Sequence, residues 1–233
     1  MPQSRTTPSG NSLAGTSLTR QLNAFHAGFL QRLSPRDRAL VEDSIRIRRE
    51  DLKSHRIPQP GEFAPDFALP DQHGRVVRLS ERLTHGPVVL LFVRGGWCPF
   101  CTLTLRGYQA ALPAIHDAGA DVLAIAPQRT DSCCSMAERD LLAFSTLSDQ
   151  DNRISDAYGT TYDVEPGMRS FYLRQGHDLP RLNGTSNWRV PLPATFVIGR
   201  DGRVLLTHID PQFHCRLEPA LAVEALQSAS VPA

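Results

Sequence analysis

No stretch of the 233-residue sequence reaches the roughly 18 consecutive apolar residues that a membrane-spanning helix needs. The opening MPQSRTTPSGNS is polar and lacks the apolar core of a secretory signal, so a cytoplasmic location is expected. An excess of one charge is missing too. Lys and Arg number 25 against 24 Asp and Glu, a net charge of +1, which excludes the basic footprint of a nucleic-acid binder and leaves no bias toward an anionic membrane. Cysteine is scarce and odd in number. The five residues form one C-x-x-C, one adjacent pair and one single, a pattern unlike the disulfide framework of a small secreted domain. In a reducing compartment such thiols are free, catalytic or metal-bound.

Residues 1–16 are rich in Ser, Thr, Gly and Pro and read as a tail. From Leu18 the pattern becomes helical, with Leu18, Leu22, Phe25, Phe29 and Leu33 at helical spacing. Ser34-Pro35-Arg36-Asp37 then supplies an N-cap, a proline at N1 and an acid at the third position, which predicts a helical hairpin over residues 17–57, ending near Ser54. After the linker RIPQPGEFAP, residues 58–233 read as one α/β domain. Strands are expected at 66–69, 76–80, 87–93 and 121–127, and the third is apolar without alternation, as suits a strand covered on both faces. Helical spacing from Cys101 to Ala118 completes a β-α-β unit. Further on, Thr130-Asp131 is expected to cap a helix to about Leu142, FSTLSD to be a strand, NRISDAYG a helix, and 160–189 an irregular insertion. A hairpin about Arg200-Asp201-Gly202 and a helix over 217–227 close a mixed-sheet domain.

The chemistry centres on RGGWCPFC, residues 94–101. Gly95 and Gly96 allow a sharp turn off the strand and place Cys98 at the start of the next helix. Unpaired N–H groups and the positive dipole end favour an anion there, so the Cys98 thiol should ionise more readily than a free cysteine. Cys101 follows one turn later on the same face, within reach of a disulfide. Pro99 suits N1 because its missing N–H would have no partner, Trp97 should shield the approach, and Phe100 should pack. A zinc site would need a second ligand pair. Cys133-Cys134 and Cys215 beside His214 do not provide one, so no metal or other cofactor is expected.

FAPDFALPDQHGRVVRLSERLTHGPVVLLFVRGGWCPFCTLTLRGYQAALP, LAIAPQ, LSD and PLPATFVIGRDGRV together resemble the peroxiredoxin-like branch of the alkyl hydroperoxide reductase and thiol-specific antioxidant family, over roughly residues 18–228. The resemblance implies a thioredoxin-like fold, a central mixed β-sheet flanked by helices, with the hairpin in front. It also implies an oxidoreductase of the thioredoxin-dependent peroxiredoxin type. Cys98 would be oxidised by hydrogen peroxide or an organic hydroperoxide to a sulfenic acid, Cys101 would resolve it as an internal disulfide, and a thioredoxin-like dithiol would reduce that disulfide. A homodimer is compatible with it. Pro193, by the same resemblance, would be a cis-proline beside the cysteines, with Pro191 the competing candidate, and would support the site along with Gly96, Trp97, Pro99 and Arg94.

This sequence departs from the family pattern. Where such proteins carry a proline seven residues and a Thr or Ser three residues before the attacking cysteine, it has Leu91 and Gly95. The family's strand arginine is replaced near Pro193. Arg94 and Arg189 are substitutes, each also readable as a solvated surface arginine. Cys133 and Cys134, at an expected helix start, read as passive packing groups, and Cys215 as inert. Two other functions fit the motif: a thiol-disulfide oxidoreductase that ignores peroxide, and a redox-sensing module that uses 160–189 as its partner surface.

Overall fold

The computed structural model describes residues 17–229. The tail expected over 1–16 lies outside them. The organising element is strand β3, Val88–Phe92, whose five residues are all buried. Alternation sends Val88, Leu90 and Phe92 into one apolar core and Val89 and Leu91 into another, so a single run of Val and Leu glues two layers of the domain. Each such side chain contributes about 1.5–3 kcal/mol on burial.

Around β3 the sheet is mixed. The parallel strands β4 (Asp121–Ala126) and β5 (Ser145–Ser148) extend it on one side, and the antiparallel β8 (Ala194–Ile198) and β9 (Val204–Ile209) on the other, in the order β5-β4-β3-β8-β9. Leu90 pairs with Leu123 and with Phe196. The crossover from β3 to β4 is the helix α4, Pro99–Asp117, which buries Phe100, Cys101, Leu105, Tyr108, Leu112 and Ile115. The β3–α4 loop therefore opens at the carboxyl end of the central strand, where open α/β sheets place their ligands.

The two expected helices form as α1 (Leu18–Arg32) and α2 (Pro35–Asp51), followed by a single 3-10 turn to Ser54, but α1 packs on α4 and α2 on α7 rather than side by side as in the expected hairpin. Ser34 Oγ accepts from the Asp37 N–H at 3.1 Å and donates to the Asp37 carboxylate at 3.0 Å, the predicted cap. Helix α1 lies on α4 so closely that a Cβ on Gly107 would come within 3.2 Å of Leu18. Glu218 receives the Leu18 and Thr19 N–H groups at 2.9 and 3.0 Å, tying the start of α1 to the last helix, α9 (Pro219–Ala229).

Several expectations change. Strand β1 covers Ala68–Pro70, and β2 ends at Arg78, where the short helix α3 (Leu79–Leu83) begins. Helix α5 (Thr130–Arg139) is preceded by Arg129 as its N-cap, without a side-chain cap bond, and stops short of Leu142 because Leu141 takes a left-handed φ of 51°. Helix α6 (Arg153–Ala157) is as expected. The 160–189 insertion is not irregular: β6 (Thr161–Asp163) pairs with β7 (Arg189–Pro191) and encloses α7 (Pro166–Arg174) and α8 (Leu179–Asn183). Helix α7 packs on α2, where Arg174 pairs with Asp37 and Ser44 Oγ donates to Glu165 at 2.8 Å. No helix among the described residues is long and apolar enough to cross a membrane.

Candidate active site

The turn after β3 needs glycine at one position. Gly95 has φ 128°, and a Cβ there would sit 2.7 Å from the Gln128 side chain. That side chain is fixed because its Oε1 accepts the Gly96 N–H at 2.7 Å, while the Gly96 carbonyl accepts from Arg139 at 2.9 Å. The hydroxyl-bearing residue that resembling proteins place at 95 is therefore excluded here by backbone and by neighbour. Cys98 is the extended N-cap of α4, Pro99 holds N1, and the Thr102 N–H donates to the Cys98 carbonyl at 3.1 Å, as the sequence pattern predicts.

Both sulfurs are free thiols with almost no exposure, 1% for Cys98 and 0% for Cys101. Arg94 joins them. Its Nη2 donates to Cys98 Sγ at 3.0 Å and its backbone N–H to Cys101 Sγ at 3.4 Å, while Nη1 donates to Tyr172 Oη at 3.0 Å. Burial alone would push the Cys98 thiol up. The hydrogen bond from Cys101, the Arg94 guanidinium, the Cys101 backbone N–H and the buried Arg216 together outweigh it and hold Cys98 well below the usual thiol range. Burial and the facing Cys98 sulfur push Cys101 well above that range. Cys98 is thus the more acidic sulfur and Cys101 the less acidic one, the division of labour that nucleophilic attack followed by resolution requires.

Above Cys98 lies a cavity of 240 Å³. Phe25 and Phe29 of α1, Trp97, Phe171 and Tyr172 of α7, and Phe213 give it an aromatic wall. Phe100 anchors this wall in edge-on contacts with Phe25, Phe29 and Phe213 at 5.0, 5.9 and 4.9 Å. No carboxylate lines it, and Arg32, Arg48 and Arg94 do. The cavity can admit a small or slender molecule to the Cys98 sulfur.

The family model for AhpC/TSA matches residues 60–206, well over half of the chain. The chain belongs to the AhpC/TSA family. Among similar proteins, this AhpC/TSA chain is 33% identical over 144 residues to the peroxiredoxin Bcp of Escherichia coli (strain K12), covering 62% of this chain and 81% of that one. It is 31% identical over 116 residues to the chloroplastic peroxiredoxin Q of Sedum lineare, covering 48% and 62%. The crystal structure of the peroxidoxin BcpB from Mycobacterium tuberculosis superposes with a TM-score of 0.59 at 22% identity, over 75% of this chain and 99% of that one, a likeness in fold. The fold is thioredoxin-like, as the resemblance implied.

Of the residues singled out from sequence, Arg94, Gly96, Trp97, Pro99 and both cysteines meet at this site. Arg94 is not the solvated group that sequence also allowed: it is 5% exposed, with its guanidinium carbon 5.5 Å from the Trp97 ring and 5.4 Å from Phe213. Pro193 is a correction. Among the described residues no peptide bond is cis, and Pro193 is a buried trans residue at the start of β8 that does not line the cavity. Arg189 lies elsewhere, paired with Asp156 at 2.7 Å. A helix start does not acidify Cys133 or Cys134. Burial and Asp131 push Cys133 up to about 12, and burial and Glu138 raise Cys134. Burial and Asp210 raise Cys215. Sequence reasoning missed Gln128, Tyr172, Phe213 and Arg216. The one available signal was the aromatic content of 160–189.

Proposed function

We propose that the protein is a thiol-dependent peroxidase in which Cys98 attacks a hydroperoxide and Cys101 resolves the product. The observation that carries this reading is Arg94 Nη2 at 3.0 Å from a buried Cys98 sulfur on the floor of an aromatic cavity, within an AhpC/TSA frame. The thiolate attacks the terminal peroxide oxygen, an S–O bond forms as the O–O bond breaks, sulfur loses two electrons, and the leaving oxygen carries them off. Cys101, one turn on, then displaces the sulfenic oxygen as water and closes a disulfide. A dithiol donor of the thioredoxin type returns both thiols by exchange. With both sulfurs buried, a protein donor reaches them after the first turn of α4 opens locally, whereas a peroxide enters through the cavity.

Reduced protein mixed with hydrogen peroxide or an organic hydroperoxide, with a thioredoxin donor present, should turn over. Cys98→Ser should abolish the activity, and Cys101→Ser should stop after one peroxide. Consumption no faster than by free cysteine overturns the reading.

A further inference from the structure

Attack on a peroxide by a thiolate releases an alkoxide or hydroxide, and an oxyanion set free in an apolar enclosure needs a proton there. The aromatic hydrocarbon and aliphatic part of this cavity's wall has none to give. Among the described residues that line it, Tyr172 alone carries a hydroxyl. Its Oη accepts from Arg94 Nη1 at 3.0 Å, and the other terminal nitrogen of the same guanidinium donates to Cys98 Sγ at 3.0 Å. One planar fork thus holds the phenol oxygen and the nucleophilic sulfur on neighbouring prongs. The phenol ring is braced edge-on by Trp97 at 5.4 Å, and the phenol hydrogen has no acceptor among the described residues.

We propose that Tyr172 is a catalytic residue whose hydroxyl orients the peroxide and protonates its leaving oxygen, a part that Gly95 has no side chain to play. The role rests on the peroxidase reading above. Cys98 S⁻ takes the terminal oxygen of ROOH as S–OH, the O–O electron pair departs with RO⁻, and the Tyr172 proton passes to RO⁻ to give ROH. Solvent then returns a proton to the phenolate, which stands against the Arg94 cation in the interval. Burial raises the Tyr172 hydroxyl, which keeps its proton on the phenol for the leaving oxygen to take. His177 is also on the wall, and burial lowers it.

The test compares two reactions of Cys98 in Tyr172→Phe, which removes one oxygen. Reaction with hydrogen peroxide should slow about 100-fold or more, the range of a lost general acid. Alkylation by iodoacetamide, whose iodide leaves without a proton, should stay within about threefold. An unchanged peroxide rate overturns the role, as does an equal loss in both reactions, which would make Tyr172 a support for Arg94 only. Should Tyr172→Phe not fold, 3,5-difluorotyrosine at 172 keeps the ring and makes the hydroxyl a stronger acid. The peroxide rate should then fall on an alkaline limb that wild type lacks, and absence of that limb overturns the proposal. A wild-type rate no faster than free cysteine removes the peroxidase reading and this role together; a fast wild type matched by Tyr172→Phe removes this role alone.

Discussion

Replacing Arg94 by Met tests what holds the nucleophile ionised. The variant deletes a cation that donates to Cys98 Sγ at 3.0 Å in a site where the sulfur is 1% exposed. A hydrogen bond to a charged group is worth about 1.5–3 kcal/mol. At 1.36 kcal/mol per pKa unit, losing it should raise the Cys98 thiol by roughly 1–2 units. Methionine fits the apolar gap between Trp97 and Phe213 and removes the desolvation cost of a buried guanidinium, so the fold should persist. Arg94→Lys, with a point charge that cannot reach sulfur and phenol together, should fall between the two. Titrating the thiolate's ultraviolet absorbance and the rate of iodoacetamide capture against pH reads the shift. A Cys98 that titrates identically in wild type and Arg94→Met would refute the reasoning and leave the start of α4 and Cys101 as sufficient.

Iodoacetamide at neutral pH, followed by peptide mass mapping, should label Cys98 and spare Cys101 and Cys133, whose thiols burial raises; earlier labelling of Cys101 would reverse the assignment of roles. Gly95→Ala should destabilise the protein by about 1–3 kcal/mol from its φ alone, with more from displacing Gln128, as read by denaturant unfolding; a stability equal to wild type would contradict the contact. His214, stacked at 3.6 Å on His26, is held down to about 4 by burial, His26 and Arg216. The unfolded chain binds that proton near pH 6.5, so the stability contributed by the neutral ring is complete above about 6.5 and lost as pH falls through about 4. His214→Phe should flatten the acid decline of the melting temperature; parallel declines would remove His214 as its cause.

The β-α-β unit around β3 was readable because an unbroken run of Val and Leu has few places to go but between two layers, and the break between the first two helices because Ser34 to Asp37 spells a complete cap. The cysteine pair was readable for the same local reason, a glycine turn feeding a helix start. Arg94 was ambiguous, since strand alternation alone does not tell whether a side chain meets water. Its burial is decided by Tyr172, 78 residues downstream, and by Phe213. Arg216 was invisible for a related cause, because nothing in its neighbourhood along the chain signals a sulfur. The insertion looked irregular because its strands are three residues each, too short for a period-2 pattern to register.

The cavity wall has a further consequence for how the chain divides its labour. Both sulfurs, Arg94 and Tyr172 lie inside the span shared with other AhpC/TSA proteins, whereas Phe25, Phe29 and Phe213 lie outside it. Part of what is allowed near the sulfur is thus encoded outside the stretch that carries the reacting groups. A truncation to the shared span would remove those three rings and Arg216 together, loosening both the antechamber and the hold on the Cys98 sulfur.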